Sequence, residues 1–533
     1  MLFHLLVVTT FSIVSGVHSA QTSSSLVTLP YGQFEGVVNG SVTSFLGIPY
    51  AQPPLGALRF ALPQAPQQLS EIQLATNYGA ACPQQASAIP NVLPFPIPQA
   101  PPLNVSEDCL FVNVIKPSTI PSTQKLPVLF VGGFETGDTS LHDGRPLVER
   151  SLALNEPVIF VSANYRLNAF GFLASTEVQS AKATNVGLRD QRFAMEWVQK
   201  YITHFGGDST KVIIWGESAG ALSVGLHLVI NHGNTNGLFR GAFMESGSPY
   251  ALRDVSAGQP FYDQLVQYTG CTAQLNTLDC LRQVPLDTLM DAINTTPGLY
   301  NYTNLNLAWQ PRLDYDLFSR NPQRSIAMGN WAQVPTVSGD CDDEGTVFSL
   351  GNTNITYIPV ASNSQITAIS QDYPSDFALG SPFGTGDAYN LTAQYKRLAA
   401  FQGDWEFQAP RRLFQMTVTP QCSTWGFLYK RDKSTPYLGS YHSTDLVEFF
   451  GVGDYIGADA LSGCNFAYNL NPNAPPDVPA NVSYLANIQW PTWNSQSPQL
   501  LTFVDPAPSL GFTEDSYRAT GMSLIGELSL AFP

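Results

Sequence analysis

The sixteen residues Phe205–Gly220, FGGDSTKVIIWGESAG, constrain the fold more than any other part of the chain. A β-branched, apolar run (Val212, Ile213, Ile214, Trp215) leads into Gly216-Glu217-Ser218-Ala219-Gly220, and a helix-favouring apolar segment follows. The pattern predicts a strand, a sharp turn and a helix, with Ser218 at the apex. Glycines two residues to either side leave room for strand and helix to approach one another. A hydroxyl held there stands exposed at a helix N-terminus, as a nucleophilic serine in acyl transfer requires.

With 533 residues the chain can bury a large core. Met1–Ala20 reads as a secretory signal: Leu5–Val17 is a short apolar run, and small residues near Ser19 and Ala20 suit cleavage. No later segment carries eighteen uncharged apolar residues, so no stable membrane anchor is expected. Seven sequons, at Asn39, Asn104, Asn294, Asn301, Asn354, Asn390 and Asn481, fit a secreted, extracellular glycoprotein. Seven cysteines in an oxidising compartment should mostly pair, with at least one left over. The formal charge of −16 argues against nucleic acid as a partner, because phosphate binding needs basic patches. Nothing in the sequence specifies an oligomeric state.

Buried strands are predicted at Leu126–Val131, Val158–Asn164, Val212–Trp215, Gly241–Met244, Val334–Ser338 and Ser423–Tyr429, with helices such as Asn185–His204 and Ser218–Val229 between them. That alternation predicts an α/β fold with a mostly parallel sheet covered on both faces. No domain boundary is visible, so residues 21–533 are read as a single domain. Pro83–Leu103 is proline-rich and therefore a loop, yet it carries Ile89, Val92, Leu93, Phe95 and Ile97. Apolar residues exposed on such a loop would suit a substrate entrance, with Leu93, Phe95 and Ile97 at its rim.

A nucleophilic serine needs a base, and the base needs an acid to hold its tautomer. In α/β-hydrolases the order along the chain is serine, acid, histidine. Past the signal only His442 lies far downstream of Ser218, in the loop Leu438–Asp445. The acid should fall between them, and Gly339-Asp340-Cys341-Asp342-Asp343-Glu344-Gly345-Thr346 is the dense acidic cluster. The residues by themselves leave Asp340, Asp342, Asp343 and Glu344 as candidates.

FLGIPYAQPPLGALRF at Phe45–Phe60, EDCLFVNVIKP at Glu107–Pro117, NYRLNAFGFL at Asn164–Leu173, NVGLRDQ at Asn185–Gln191, ESGS at Glu245–Ser248 and WPTW at Trp490–Trp493 all resemble blocks of the type-B carboxylesterase/lipase family. This is the group of fungal lipases, carboxylesterases and cholinesterases. The resemblance implies an α/β-hydrolase fold and places the acid on Glu344 and the base on His442. It also implies that Ser246 and Glu217 support the catalytic groups. Arg59 with Glu107 and Arg166 with Asp190 are similar to the family's buried ion pairs, and Cys82–Cys109 and Cys271–Cys280 to its disulfide loops.

Two departures stand out. The family's oxyanion loop, His/Tyr/Phe-Gly-Gly-Gly-Phe, is here Val131-Gly132-Gly133-Phe134, and the strand before it is about three residues short. Either Leu126–Val131 pairs in an altered register, or the sequence as written lacks a few residues; the intact loop beyond favours the second. Gly132, Gly133 and Ala219 still match the donor positions. The cholinesterase tryptophan for a cationic substrate is also absent, since the first tryptophan of the chain is Trp197. The expected function is therefore cofactor-free, metal-independent hydrolysis of carboxylic esters, small-molecule or lipid. Phe134-Glu135-Thr136-Gly137 resembles the fungal lipases more than the cholinesterases. The alternative is a non-catalytic binding or adhesion relative.

Overall fold

The computed structural model describes residues 24–86, 91–95, 103–120, 126–131, 137–301, 305–351, 362–450 and 461–531. The signal segment Met1–Ala20, the loop residues Ile89 and Ile97, the glycines Gly132 and Gly133, and Asn354 lie outside them. The strands are β1 (Ser24–Leu29), β2 (Gly32–Asn39), β3 (Val42–Pro49), β4 (Ile72–Leu74), β5 (Phe111–Pro117), β6 (Leu126–Val131) and β7 (Ile159–Ala163). They continue with β8 (Gly207–Glu217), β9 (Gly241–Glu245), β10 (Thr336–Cys341), β11 (Thr424–Lys430), β12 (Gln499–Val504) and β13 (Leu510–Glu514).

Among the described residues one thirteen-stranded sheet runs β1-β2-β3-β5-β7-β6-β8-β9-β10-β11-β12-β13, with β4 paired to β2. From β7 to β12 every neighbouring pair is parallel, while the two ends are antiparallel apart from the parallel β2–β4 pair. The parallel strands are buried along their length, as in β7, β9 and β10, because helices cover both faces. The end strands alternate, as in β2, and for that reason were less visible as apolar runs.

The acidic cluster differs from its sequence reading. β10 starts after Pro335 and runs on through Gly339-Asp340-Cys341, beyond the Ser338 at which the predicted strand ends. Asp340 can lie in a buried strand because Arg411 pairs with it at 2.7 Å. The same guanidinium holds Asp515 at 2.7 Å, tying the helix Ala409–Val418 to the C-terminal segment. Arg59–Glu107 and Arg166–Asp190 are bidentate and buried, and Cys82–Cys109 and Cys271–Cys280 are disulfides. Cys341, Cys422 and Cys464 are free thiols.

β6 takes the altered register. Leu126 faces Gly207 and Val128 faces Val212, so two residues of β6 span five of β8. Beyond Val128 the pairing with β8 and β7 is regular. The three unmatched residues of β8 equal the deficit read from the sequence.

Candidate active site

Three strands deliver three side chains to one end of the sheet. Ser218 follows β8, Glu344 follows β10 and His442 lies in the loop after β11, the carboxyl ends where α/β sheets hold their ligands. Ser218 has φ 55° and ψ −124°, a left-handed turn that a β-strand enters and the helix Ala219–His227 leaves. The close approach is real: a Cβ on Gly216 would lie 2.3 Å from the carbonyl carbon of Gly220. The Ser218 amide donates to Glu245 O at 2.9 Å on the neighbouring β9, anchoring the apex.

A continuous hydrogen-bond chain joins the three residues. His442 Nε2 lies 2.7 Å from Ser218 Oγ, and His442 Nδ1 lies 2.6 Å from Glu344 Oε2. The second carboxylate oxygen, Glu344 Oε1, accepts from the Cys341 amide at 2.6 Å, which fixes the carboxylate plane. The imidazole is flanked by the rings of Phe348 and Phe407, with centroids 4.9 and 4.7 Å away.

Burial pushes the His442 imidazole below the ordinary histidine value, while Glu217, Asp445 and Asp340 pull it upward. Burial also pushes Glu344 up to about 8. With Nδ1 turned to the Glu344 carboxylate, the tautomer that carries its proton on Nδ1 leaves Nε2 to accept from Ser218 Oγ. Glu217 Oε1 lies 3.5 Å from His442 Nε2 and accepts from Ser443 Oγ at 2.5 Å. Burial raises it to about 7. Ser246 is buried beside Glu344, where it moderates that carboxyl's rise; among the described residues its hydroxyl makes no hydrogen bond of good geometry.

The four candidates for the acid now separate. Only Glu344 reaches the imidazole. Asp340 pairs with Arg411, and Asp342 meets Lys433 and Lys430. Asp343 accepts from Ser381 Oγ, the Phe383 amide, the Ser440 amide and Lys433, so it binds the loop that carries His442. Neither that role nor those of Phe348 and Phe407 were legible in the sequence, because the contacts join segments far apart in the chain.

A cavity of about 290 Å³ opens onto Ser218 and His442, lined also by Ala219, Tyr250, Leu305 and Phe348. The expected rim is corrected here. Leu93 is buried, and neither it nor Phe95 lines the cavity. Both pack behind the wall, against the cluster of Leu305, Phe348 and Phe407, since apolar side chains with a core within reach leave the solvent.

The model of the carboxylesterase family matches residues 23–508. The chain belongs to the carboxylesterase family. It is 38% identical to secreted lipase 1 of Botryotinia fuckeliana, over 93% of this chain and 91% of that protein. It is 35% identical to a secreted triacylglycerol lipase of Gibberella zeae, over 94% and 89% respectively. The crystal structure of Aspergillus niger EstA superposes with a TM-score of 0.79 at 30% identity, covering 96% of this chain and 99% of that one. This carboxylesterase-family chain has the α/β-hydrolase fold and is a carboxylic ester hydrolase, not a non-catalytic relative. Among the described residues no helix is long and apolar enough to cross a membrane.

Proposed function

We propose that this enzyme is a secreted lipase or esterase acting on apolar acyl esters through an acyl-enzyme on Ser218. Met1–Ala20 is the leader and residues 21–533 form one catalytic domain. His442 Nε2 takes the Ser218 proton as Oγ attacks the ester carbonyl carbon, and Glu344 stabilises the imidazolium that results. The amides of Gly132, Gly133 and Ala219 donate to the tetrahedral oxyanion, each worth roughly 3 kcal/mol. The imidazolium returns its proton to the departing alkoxide. Water, activated by the same nitrogen, then attacks the acyl carbonyl and frees the acid and Ser218.

The observation that carries this reading is the unbroken chain from Ser218 Oγ through His442 to Glu344, at 2.7 and 2.6 Å, on the floor of the cavity. Ser218→Ala is expected to lower ester hydrolysis by at least about 10⁴-fold. Its thermal unfolding should match that of the parent, and an organophosphate should label the parent but not the variant. Substantial residual turnover in Ser218→Ala would remove Ser218 as the nucleophile. Rates across p-nitrophenyl esters of rising acyl length test the apolar preference, which fails if acetate outruns every longer chain.

A further inference from the structure

The turn Asp404–Gln408 between two helices is π-helical, a conformation concentrated at functional sites. Most of it is tied down. Asp404 pairs with Arg518 at 2.7 Å, the Trp405 ring packs on Phe401, Phe407 packs on His442, and Gln408 Nε2 donates to Cys341 O at 2.8 Å. Glu406 differs. It lines the cavity of Ser218 and His442 and makes no hydrogen bond or ion pair among the described residues. Tyr250 lines the same cavity, where burial raises its phenol and the Glu406 charge raises it further. The Tyr250 hydroxyl also has no partner among the described residues, although its ring is buried.

A carboxyl group in a cavity walled by Leu305, Phe348 and Phe407 costs solvation, and burial pushes Glu406 up to about 7. A purely apolar substrate would leave that cost unrecovered. An unpartnered carboxyl beside an unpartnered phenol offers an acceptor and a donor together, which matches a hydroxyl group.

We propose that Glu406 and Tyr250 form a polar subsite within the ester-binding cavity that selects esters bearing a hydroxyl group remote from the scissile carbonyl. Glu406 accepts from that hydroxyl and Tyr250 donates to it, so both residues determine specificity without touching the reacting atoms. The proposal rests on Ser218 as the nucleophile in this cavity.

The test compares matched esters with and without a hydroxyl. On the acyl side, p-nitrophenyl ω-hydroxyalkanoates of rising length are set against the parent alkanoates. On the alcohol side, hydroxypropyl butyrate is set against propyl butyrate. The reading is the ratio of kcat/KM, hydroxylated over parent. In at least one pair this ratio should fall about tenfold in Glu406→Leu, as for loss of one hydrogen bond to a charged group, and the change should lie mainly in KM. Tyr250→Phe should lower it several-fold, and Glu406→Gln should restore part of it. The ratio cancels a general loss of folding or of turnover, so failure here is distinct from failure of Ser218. An unchanged ratio in every pair overturns the subsite. So does a fall seen only with ω-amino esters, which would indicate a cation site instead.

Discussion

Glu217 stands next to the nucleophile in the chain, yet its carboxylate acts on the base. It lies 3.5 Å from His442 Nε2 and pulls the imidazole's proton affinity upward against burial. Asp445 and Asp340 act in the same direction, and Glu344 bonds the other nitrogen. Because burial is the largest effect, the acid limb of kcat/KM should have its midpoint below the ordinary histidine value of about 6.5. Glu217 itself titrates at about 7 and is largely neutral at that midpoint, so Glu217→Gln should move the midpoint lower by only a small amount. A pH profile with a small soluble ester checks both statements; an upward shift in the variant would contradict them. The acidic cluster also sorts residue by residue. Asp342 and Asp343 are adjacent acids that the sequence does not tell apart. Asp343, however, accepts from two amides, a hydroxyl and Lys433. Asp343→Asn is expected to cost about 3 kcal/mol of stability and to lower kcat by loosening the His442 loop. Asp342→Asn should do less, and chemical denaturation of the two variants decides the order.

Among the elements, β6 carries the largest register irregularity. It lies between β7 and β8 near the middle of the sheet and leads towards Gly132 and Gly133. Its two-residue step from Leu126 to Val128 opposes a five-residue step on β8. A strand rises about 3.3 Å per residue, so three residues correspond to roughly 10 Å, and an odd offset exchanges the faces of the side chains. Three apolar residues added after Phe130 would let Leu126 keep its pairing with Gly207 while the added residues oppose Val212, Ile213 and Ile214. The lengthened chain is expected to unfold at higher temperature and to hydrolyse esters faster than the chain as written. If the insertion inactivates a chain that is fully active without it, the shorter β6 is native and its register irregularity is part of the fold.

Over the whole molecule, the parallel centre of the sheet carries the reacting groups, and long-range bonds brace the connections around it. Cys82–Cys109 closes a separation of 27 residues that includes the proline-rich loop, whose Leu93 packs into the cluster behind Phe348 and Phe407. Replacing both cysteines by serine should lower stability by about 3–4 kcal/mol. It should also weaken hydrolysis, since that cluster supports the rings around His442; a variant with unchanged melting and activity would show the loop to be an inert cover. The elbow at Ser218, the core strands, the order serine–acid–histidine and, through family blocks, Glu344 with both disulfide pairs were legible in the chain. Those features are local: they depend on residue size, apolar runs and backbone strain within a few positions. Tertiary structure alone decided that β10 runs through Asp340, that Leu93 is buried, that Asp343 braces the His442 loop, and that Glu406 and Tyr250 line one cavity. Each of these depends on what packs opposite, and a charge or an apolar side chain acquires its role only when distant segments supply the partner or withhold it.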